Sequence, residues 1–90
     1  MTELKLREDG LEWREVEGEV IVLDLDGNVY ISLNGTGAVC WHALAEGTTR
    51  EEMLRRVTTR FDVDEERAAA DIDAFLSRLG EQGLLAQAPA

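Results

Sequence analysis

The feature that most constrains the fold is an uncharged run of five residues, Val29–Leu33, followed at once by a helix-forming segment at residues 34–41. The run is built mostly from β-branched, aromatic and aliphatic residues and contains no proline, so it predicts a β-strand. Asn34 can cap the first turn of the helix that follows. At the edge of a sheet, nothing in this strand would prevent another chain from pairing with its backbone. The pattern therefore indicates a module that captures an extended peptide.

Composition limits the class of protein. The chain has 90 residues, 44% of them hydrophobic, which suits one small domain with a modest core. No apolar run approaches the roughly 20 residues of a membrane span, and the first residues lack a signal peptide's apolar region, so we expect a cytoplasmic protein. Cys40 is the only cysteine, which excludes an intrachain disulfide and a metal site built on paired cysteines.

The charge balance is strongly acidic. Nineteen acidic and nine basic residues give a formal net charge of −10. Such a charge opposes binding to phosphate backbones, which require clustered lysine and arginine. It favours cationic partners, and a basic peptide would be steered towards the domain. The alternative is that the charge only keeps a small protein soluble.

Three strands are predicted in the first part of the chain, at residues 13–17, 20–23 and 29–33. A turn at residues 24–27 joins the second strand to the third, and we predict a three-residue loop there. This register places on one face the apolar residues Ile21, Leu23, Val29, Ile31 and Leu33. The short connections predict a meander with strands one and three at its edges. Of these two, only strand three lacks the charged residues that protect an edge.

Three helices are predicted in the rest of the chain, at about residues 35–45, 49–60 and 64–81. Thr49 and Asp64 are the predicted N-caps of the second and third helices. Apolar residues recur at helical spacing in all three. The predicted buried positions are Ala38, Trp41, Leu44 and Ala45, then Met53, Leu54, Val57 and Phe61, and finally Ile72, Phe75, Leu76 and Leu79.

These elements predict the fold class α+β, a three-stranded antiparallel sheet packed on three helices. We expect a single domain over residues 1–90, with its core at about residues 11–85. The flanking segments are predicted to be a polar lead-in at residues 1–12 and a frayed tail at residues 86–90.

A set of residues spread over the chain matches a known family. Its members are Trp13, the strand 20–23, Gly27, Tyr30, Leu33, Asn34, Thr36, Gly37, Ala38 and Trp41, followed by Phe75, Leu76, Leu79, Gly83, Leu84 and Leu85. On these residues the chain resembles the PqqD-type peptide chaperones, also called RiPP recognition elements, over about residues 11–85. One departure is Val29-Tyr30, where the family often has two aromatic residues.

The resemblance implies a winged-helix-like fold and a non-catalytic role. It implies that the leader of a ribosomally made precursor peptide binds as an added strand, between strand three and helix three. The chain has no room for a fused enzyme, so we expect the discrete type of family member. Discrete members commonly serve lasso peptide biosynthesis, beside a separate leader peptidase and an ATP-dependent cyclase. Others serve as chaperones of the precursor peptide of pyrroloquinoline quinone, and this alternative stays open.

Two groups of residues make up the predicted peptide-binding site. Strand three contributes Val29, Tyr30, Ile31, Ser32 and Leu33. The flank of helix three contributes Phe75 as an apolar floor, with Asp71 and Arg78 as polar clamps. The alternative for this flank is an ordinary solvated helix face with ion pairs such as Arg67–Asp71.

No catalytic residue, metal site or cofactor is predicted. Cys40 and His42 are two residues apart on a helix and project about 200° apart, so they cannot share a proton. The segment 24–28 is faintly similar to a calcium loop, but Tyr30 and Ile31 fall where further ligands belong.

Two functions outside peptide capture are alternatives for a fold of this kind. A winged-helix nucleic-acid binder is disfavoured by the acidic residues of helix three, and we expect neither nucleic acid nor a membrane as partner. A small adaptor that pairs with another protein through its free strand edge is the stronger of the two.

Overall fold

The fold consists of three strands followed by three helices, in a computed structural model that describes residues 3–7 and 9–86. The elements are β1 (Leu11–Val16), β2 (Glu19–Asp24), β3 (Val29–Leu33), α1 (Thr36–Glu46), α2 (Arg50–Arg60) and α3 (Glu65–Glu81). The strands form one antiparallel sheet in the order β1-β2-β3, so the predicted α+β class and the meander are confirmed. Among the described residues, no helix has the length and apolar character needed to cross a membrane.

The β2–β3 hairpin differs from the sequence prediction by one step in register. Four residues, 25–28, connect the strands instead of three. Val20 and Val22 lie opposite the buried residues of β3 and have no exposed surface. Leu23 lies on the other face and is 39% exposed. The prediction that Ile21 and Leu23 share the core face of β3 was therefore wrong.

Asp24 accounts for this register. The residue is only 4% exposed, and its Oδ1 accepts hydrogen bonds from Arg7 Nη2 at 2.6 Å and from the backbone N–H groups of Asp26 and Gly27 at 3.1 Å. The hydrogen bond from Arg7, followed by that from the Gly27 N–H, lowers the pKa of the Asp24 carboxyl group. A carboxylate satisfied in this way is tolerated on the buried face, which a count of alternating apolar residues does not anticipate. Asn28, the last residue of the four-residue loop, has a positive φ of 56°.

The pairing of Asp24 predicts how stability depends on pH. Because its pKa is lower in the folded state, the paired carboxylate stabilises the fold above the unfolded pKa of about 4 and this contribution is lost as pH falls through the folded pKa. We expect Asp24→Asn to lower the thermal midpoint at pH 7 and the difference from the parent to shrink towards pH 3. Circular dichroism melts of both proteins at several pH values provide the measurement. A difference that stays constant over this range would contradict the role assigned to Asp24.

Helix capping agrees with the sequence prediction at two of three positions. Thr49 and Asp64 are the N-caps of α2 and α3, and each side chain accepts a hydrogen bond from the backbone N–H three residues on, at 3.2 and 2.8 Å. Asn34 is not the cap of α1. That position is Gly35, whose φ of 55° is readily adopted by glycine. The Asn34 carbonyl accepts a hydrogen bond from the Gly37 N–H at 3.1 Å instead.

The core lies between one face of the sheet and the three helices. Its largest fully buried side chains are Val20, Val22, Cys40, Trp41, Leu44, Met53, Val57, Ile72, Leu79 and Leu84. The predicted helical core is confirmed except that Ala45 is exposed and the residues Leu54, Phe61, Phe75 and Leu76 lie half-buried at its margin. Trp13 is 38% exposed and packs edge-on against Trp41 with the ring centroids 6.1 Å apart, so it holds β1 to the core.

The N-terminal segment is held by the residues that follow α3, which the sequence did not predict. Leu6 forms an antiparallel bridge with Leu85, and the Ala86 N–H donates to the Lys5 carbonyl at 2.9 Å. Ala86 was predicted to begin a frayed tail, and this was wrong for that residue. The rest of the predicted tail, residues 87–90, lies outside the described residues.

Candidate functional site

β3 is an edge strand whose outward-pointing peptide groups belong to Tyr30 and Ser32. The Leu25 N–H donates a hydrogen bond of 2.8 Å to the carbonyl of the residue preceding β1. The peptide groups of Asp24 must therefore point towards β3, and those of its partner Val29 point back towards β2. Because this direction alternates along a strand, the peptide groups of Tyr30 and Ser32 point away from the sheet. Within the part of the chain that the structure describes, no strand pairs with this edge.

A cleft of about 400 Å³ lies beside this edge, where the end of β3 and the start of α1 meet α3. Five of the predicted site residues line it, namely Ser32, Leu33, Asp71, Phe75 and Arg78. The structure thus brings the flank of α3 and the end of β3 together, as the sequence predicted. Whether a peptide occupies this cleft stays a prediction.

The other three predicted residues of β3 lie outside the cleft. Ile31 is 6% exposed and belongs to the core, so its side chain cannot meet a ligand. Tyr30 is 64% exposed and projects from the opposite face of the sheet, beside Leu23. Val29 begins the strand and pairs with Asp24 through its backbone.

The floor of the cleft is apolar and contains a glycine that sequence reasoning did not assign to the site. A Cβ atom added to Gly37 would lie 3.4 Å from Leu33 Cδ2 and 3.8 Å from Phe75 Cε1. The missing side chain therefore leaves an apolar hollow between the end of β3 and the half-buried ring of Phe75. The available signal was a glycine within the first turn of a helix, where alanine would be more stable.

The charged side chains of the cleft are one acidic and one basic residue, Asp71 and Arg78. Among the described residues, neither Asp71 nor Arg78 lies within 4 Å of an opposite charge. An ion pair between Arg67 and Asp71 would support an ordinary solvated helix face. The described residues do not form this pair. A salt bridge of α3 lies outside the cleft, between Asp73 and Arg50 of α2 at 2.7 Å. This pairing with Arg50 lowers the pKa of Asp73.

Cys40 and His42 lie in different environments in the structure. The Cys40 thiol is fully buried, and burial raises its pKa to about 11, so it is a poor nucleophile near neutral pH. His42 instead lies on the surface, with Nε2 at 3.3 Å from Glu15 Oε1 and its ring edge-on to Trp13. The described residues contain no group of three His, Cys, Asp or Glu side chains that could hold a metal ion.

Comparisons with known proteins match the chain to one family model and to solved structures of the same fold. The model of the family described as coenzyme PQQ synthesis protein D (PqqD) matches residues 19–85. A structure of TbiB1 in complex with the TbiA(beta) leader peptide is 27% identical, with a TM-score of 0.84, and the match covers 96% of this chain and 99% of that one. A structure of lasso peptide synthetase B1 complexed with the leader peptide is 24% identical, with a TM-score of 0.80, covering 93% and 98% of the two chains. A comparison with curated protein sequences gave no significant match.

Proposed function

Because the chain belongs to the PqqD family, we propose that it binds the leader of a ribosomally made precursor peptide as a fourth strand on β3 and presents it to maturation enzymes. The observation that carries this proposal is the free edge of β3 beside the cleft. Further support comes from TbiB1, which shares the fold and was solved in complex with a leader peptide. We favour a leader of the lasso peptide type.

Binding would proceed by strand addition, with separate sources of affinity and selectivity. The peptide groups of Tyr30 and Ser32 would form hydrogen bonds with the leader backbone, and such bonds tolerate many leader sequences. Selectivity would come from side chains that enter the cleft, where an apolar residue contacts Phe75 and the hollow at Gly37. Ordering a segment that is disordered when free opposes binding, so for such a leader these apolar contacts must offset the lost entropy.

The proposal describes a cytoplasmic binding protein without catalytic activity or a cofactor. Its protein partners would be a separate leader peptidase and an ATP-dependent cyclase, as in lasso peptide biosynthesis. The alternative partner is the precursor peptide of a quinone cofactor, which the description of the family favours. An adaptor that pairs with another protein through β3 is the remaining candidate, and its support is the same free edge.

A fluorescence-polarisation titration separates these candidates. Synthetic leaders of a lasso peptide, of a quinone-cofactor precursor and of an unrelated precursor would each be titrated with the protein. We expect saturable binding of the lasso leader and weaker binding of the other two. Light scattering should give a monomer, because a dimer paired through β3 would leave no free edge. Absence of saturable binding to every leader would overturn the proposal.

The net charge of −10 predicts that salt slows the association of a basic leader. Raising the ionic strength from about 0.01 M to about 0.15 M shortens the Debye length from about 30 Å to about 8 Å. Electrostatic steering acts on the encounter, so we expect a slower association rate with little change in dissociation. Stopped-flow fluorescence with a lysine-bearing leader measures both rates. An association rate that does not vary with salt would mean that the acidity serves only solubility.

Gly37→Ala should change stability and binding in opposite directions. The added methyl group meets Leu33 and Phe75 at ordinary van der Waals distances, and alanine is favoured over glycine by up to about 0.5–1 kcal/mol, the value for a helix interior. The same methyl group fills part of the hollow, so leader affinity should fall by about three- to tenfold. Denaturant unfolding and the polarisation titration provide the two measurements. Unchanged affinity in this variant would place the leader side chain outside the hollow.

A further inference from the structure

Positive charge in this acidic chain is concentrated on α2. The helix carries four arginines and two glutamates, whereas the chain as a whole has a net charge of −10. Each of the other helices and strands carries more acidic than basic residues or, in β3, no charge. A local basic face on an acidic protein indicates an interaction with an anionic group, because its field differs in sign from its surroundings.

The basic face of α2 borders a second cleft, of about 610 Å³, between α1 and α2. Its lining consists of Val39 and His42 from α1 and Arg55, Arg56, Thr59 and Arg60 from α2. We call this the arginine cleft. Val39 and the methyl group of Thr59 give it an apolar component, to which the aliphatic stems of the arginines add.

The three arginines of the arginine cleft differ in how they are held. Arg56 is fixed by Glu46, with Nη2 at 2.8 Å from Oε1. Arg55 contacts Glu52 but its side chain is 72% exposed. Arg60 has no acidic side chain within 4 Å among the described residues. One guanidinium group is therefore preorganised, and the other two are accessible to a ligand.

We propose that the arginine cleft docks an acidic segment of a protein partner, with an apolar side chain of that segment resting against Val39 and Thr59. Arginine binds carboxylates through paired hydrogen bonds, which suits this lining. Water would compete effectively with a small free anion for guanidinium groups as exposed as that of Arg55. Nucleic acid is opposed by the acidity of the remaining surface.

The arginine cleft is independent of the cleft beside β3, which we call the leader site. Gly37, in the leader site, and Val39, in the arginine cleft, are two residues apart on α1 and therefore project about 200° apart. The two clefts share no lining residue. A leader on β3 and an acidic segment on α2 can thus be bound at the same time. The partner that carries the acidic segment would be a maturation enzyme, which would contact the domain while the leader is bound. This part of the inference rests on the proposed function.

Charge reversal in the arginine cleft provides the test. The variant Arg55→Glu/Arg60→Glu spares the Arg56–Glu46 ion pair, and Lys5→Glu/Arg67→Glu makes the same change in net charge elsewhere. The probe is a fluorescein-labelled octapeptide of six acidic residues with one phenylalanine and one leucine, titrated against the protein with and without leader. We expect saturable binding in both states, weakened about tenfold or more by the cleft variant and less than about twofold by the control.

Other outcomes would overturn the inference. Equal weakening in both variants would show a general charge effect, and absence of saturable binding would remove the site. Self-association of the parent that the cleft variant abolishes would make a second copy of this chain the occupant. Leader affinity is measured separately on each protein. A parent that binds the octapeptide but no leader would disprove the proposed function while leaving the arginine cleft in place.

Discussion

Replacing Ser32 by proline should weaken leader binding by about five- to a hundredfold while the domain stays folded. Ser32 directs its N–H away from β2, so proline removes no hydrogen bond of the existing sheet, and proline is tolerated on edge strands. In the Ser32→Pro variant, a leader paired with β3 would no longer receive a hydrogen bond from residue 32. One carbonyl group of the leader would then be unpaired, which costs about 1–3 kcal/mol. The polarisation titration measures the affinity, and circular dichroism verifies the fold.

The matched control is Ser32→Ala. It removes the hydroxyl group, which contacts the Glu19 carboxylate, but keeps the backbone N–H. Its leader affinity should equal that of the parent within about twofold. Normal binding by a folded Ser32→Pro protein would show that the leader does not pair with β3. The remaining edge of the sheet, β1, would then be the place to look, although Arg14 and Glu15 protect it.

The course of the chain was predictable where local signals were strong. The bounds of β3 followed from its uncharged apolar run, and the starts of α2 and α3 followed from Thr49 and Asp64, whose side chains accept backbone hydrogen bonds. Each of these signals acts within a few residues, so the sequence alone contains it.

The register of the β2–β3 hairpin was not predictable in the same way. Apolar alternation favoured Ile21 and Leu23 for the core, but the buried carboxylate of Asp24 finds its partner in Arg7, seventeen residues earlier. A long-range ion pair of this kind leaves no trace in the local pattern, and it moves every side chain of β2 to the other face.

The placement of the predicted site residues was predictable where they share one helix face, and was not predictable where tertiary packing decides it. Asp71, Phe75 and Arg78 were grouped by their common face on one helix, and the structure places all three in the cleft. Gly37 was missed because the hollow beside it comes from an absent side chain between Leu33 and Phe75, which only tertiary packing reveals. The arginine cleft was missed because two helices form it together.

Among the variants proposed, Phe75→Ala should cause the largest loss of discrimination between leader peptides. Its half-buried ring faces the hollow at Gly37, so an apolar leader side chain seated there would bury surface against both. Such burial contributes about 1.5–3 kcal/mol, and Phe75→Ala should weaken leader binding by about ten- to a hundredfold. Because the backbone pairing of β3 is untouched, the variant should discriminate less between cognate and unrelated leaders, which separates this effect from that of Ser32→Pro.

Phe75→Ala should also reduce the free energy of unfolding, because the ring packs against the core. Ser77→Ala is the control, since Ser77 is exposed on the other flank of α3, and it should change neither stability nor affinity. Circular dichroism must show that the Phe75 variant remains folded at the titration temperature. A folded Phe75→Ala protein that binds and discriminates leaders like the parent would mean that selectivity resides away from the cleft. In that case the roles of Asp71 and Arg78 would fail with it, because the same cleft holds all three.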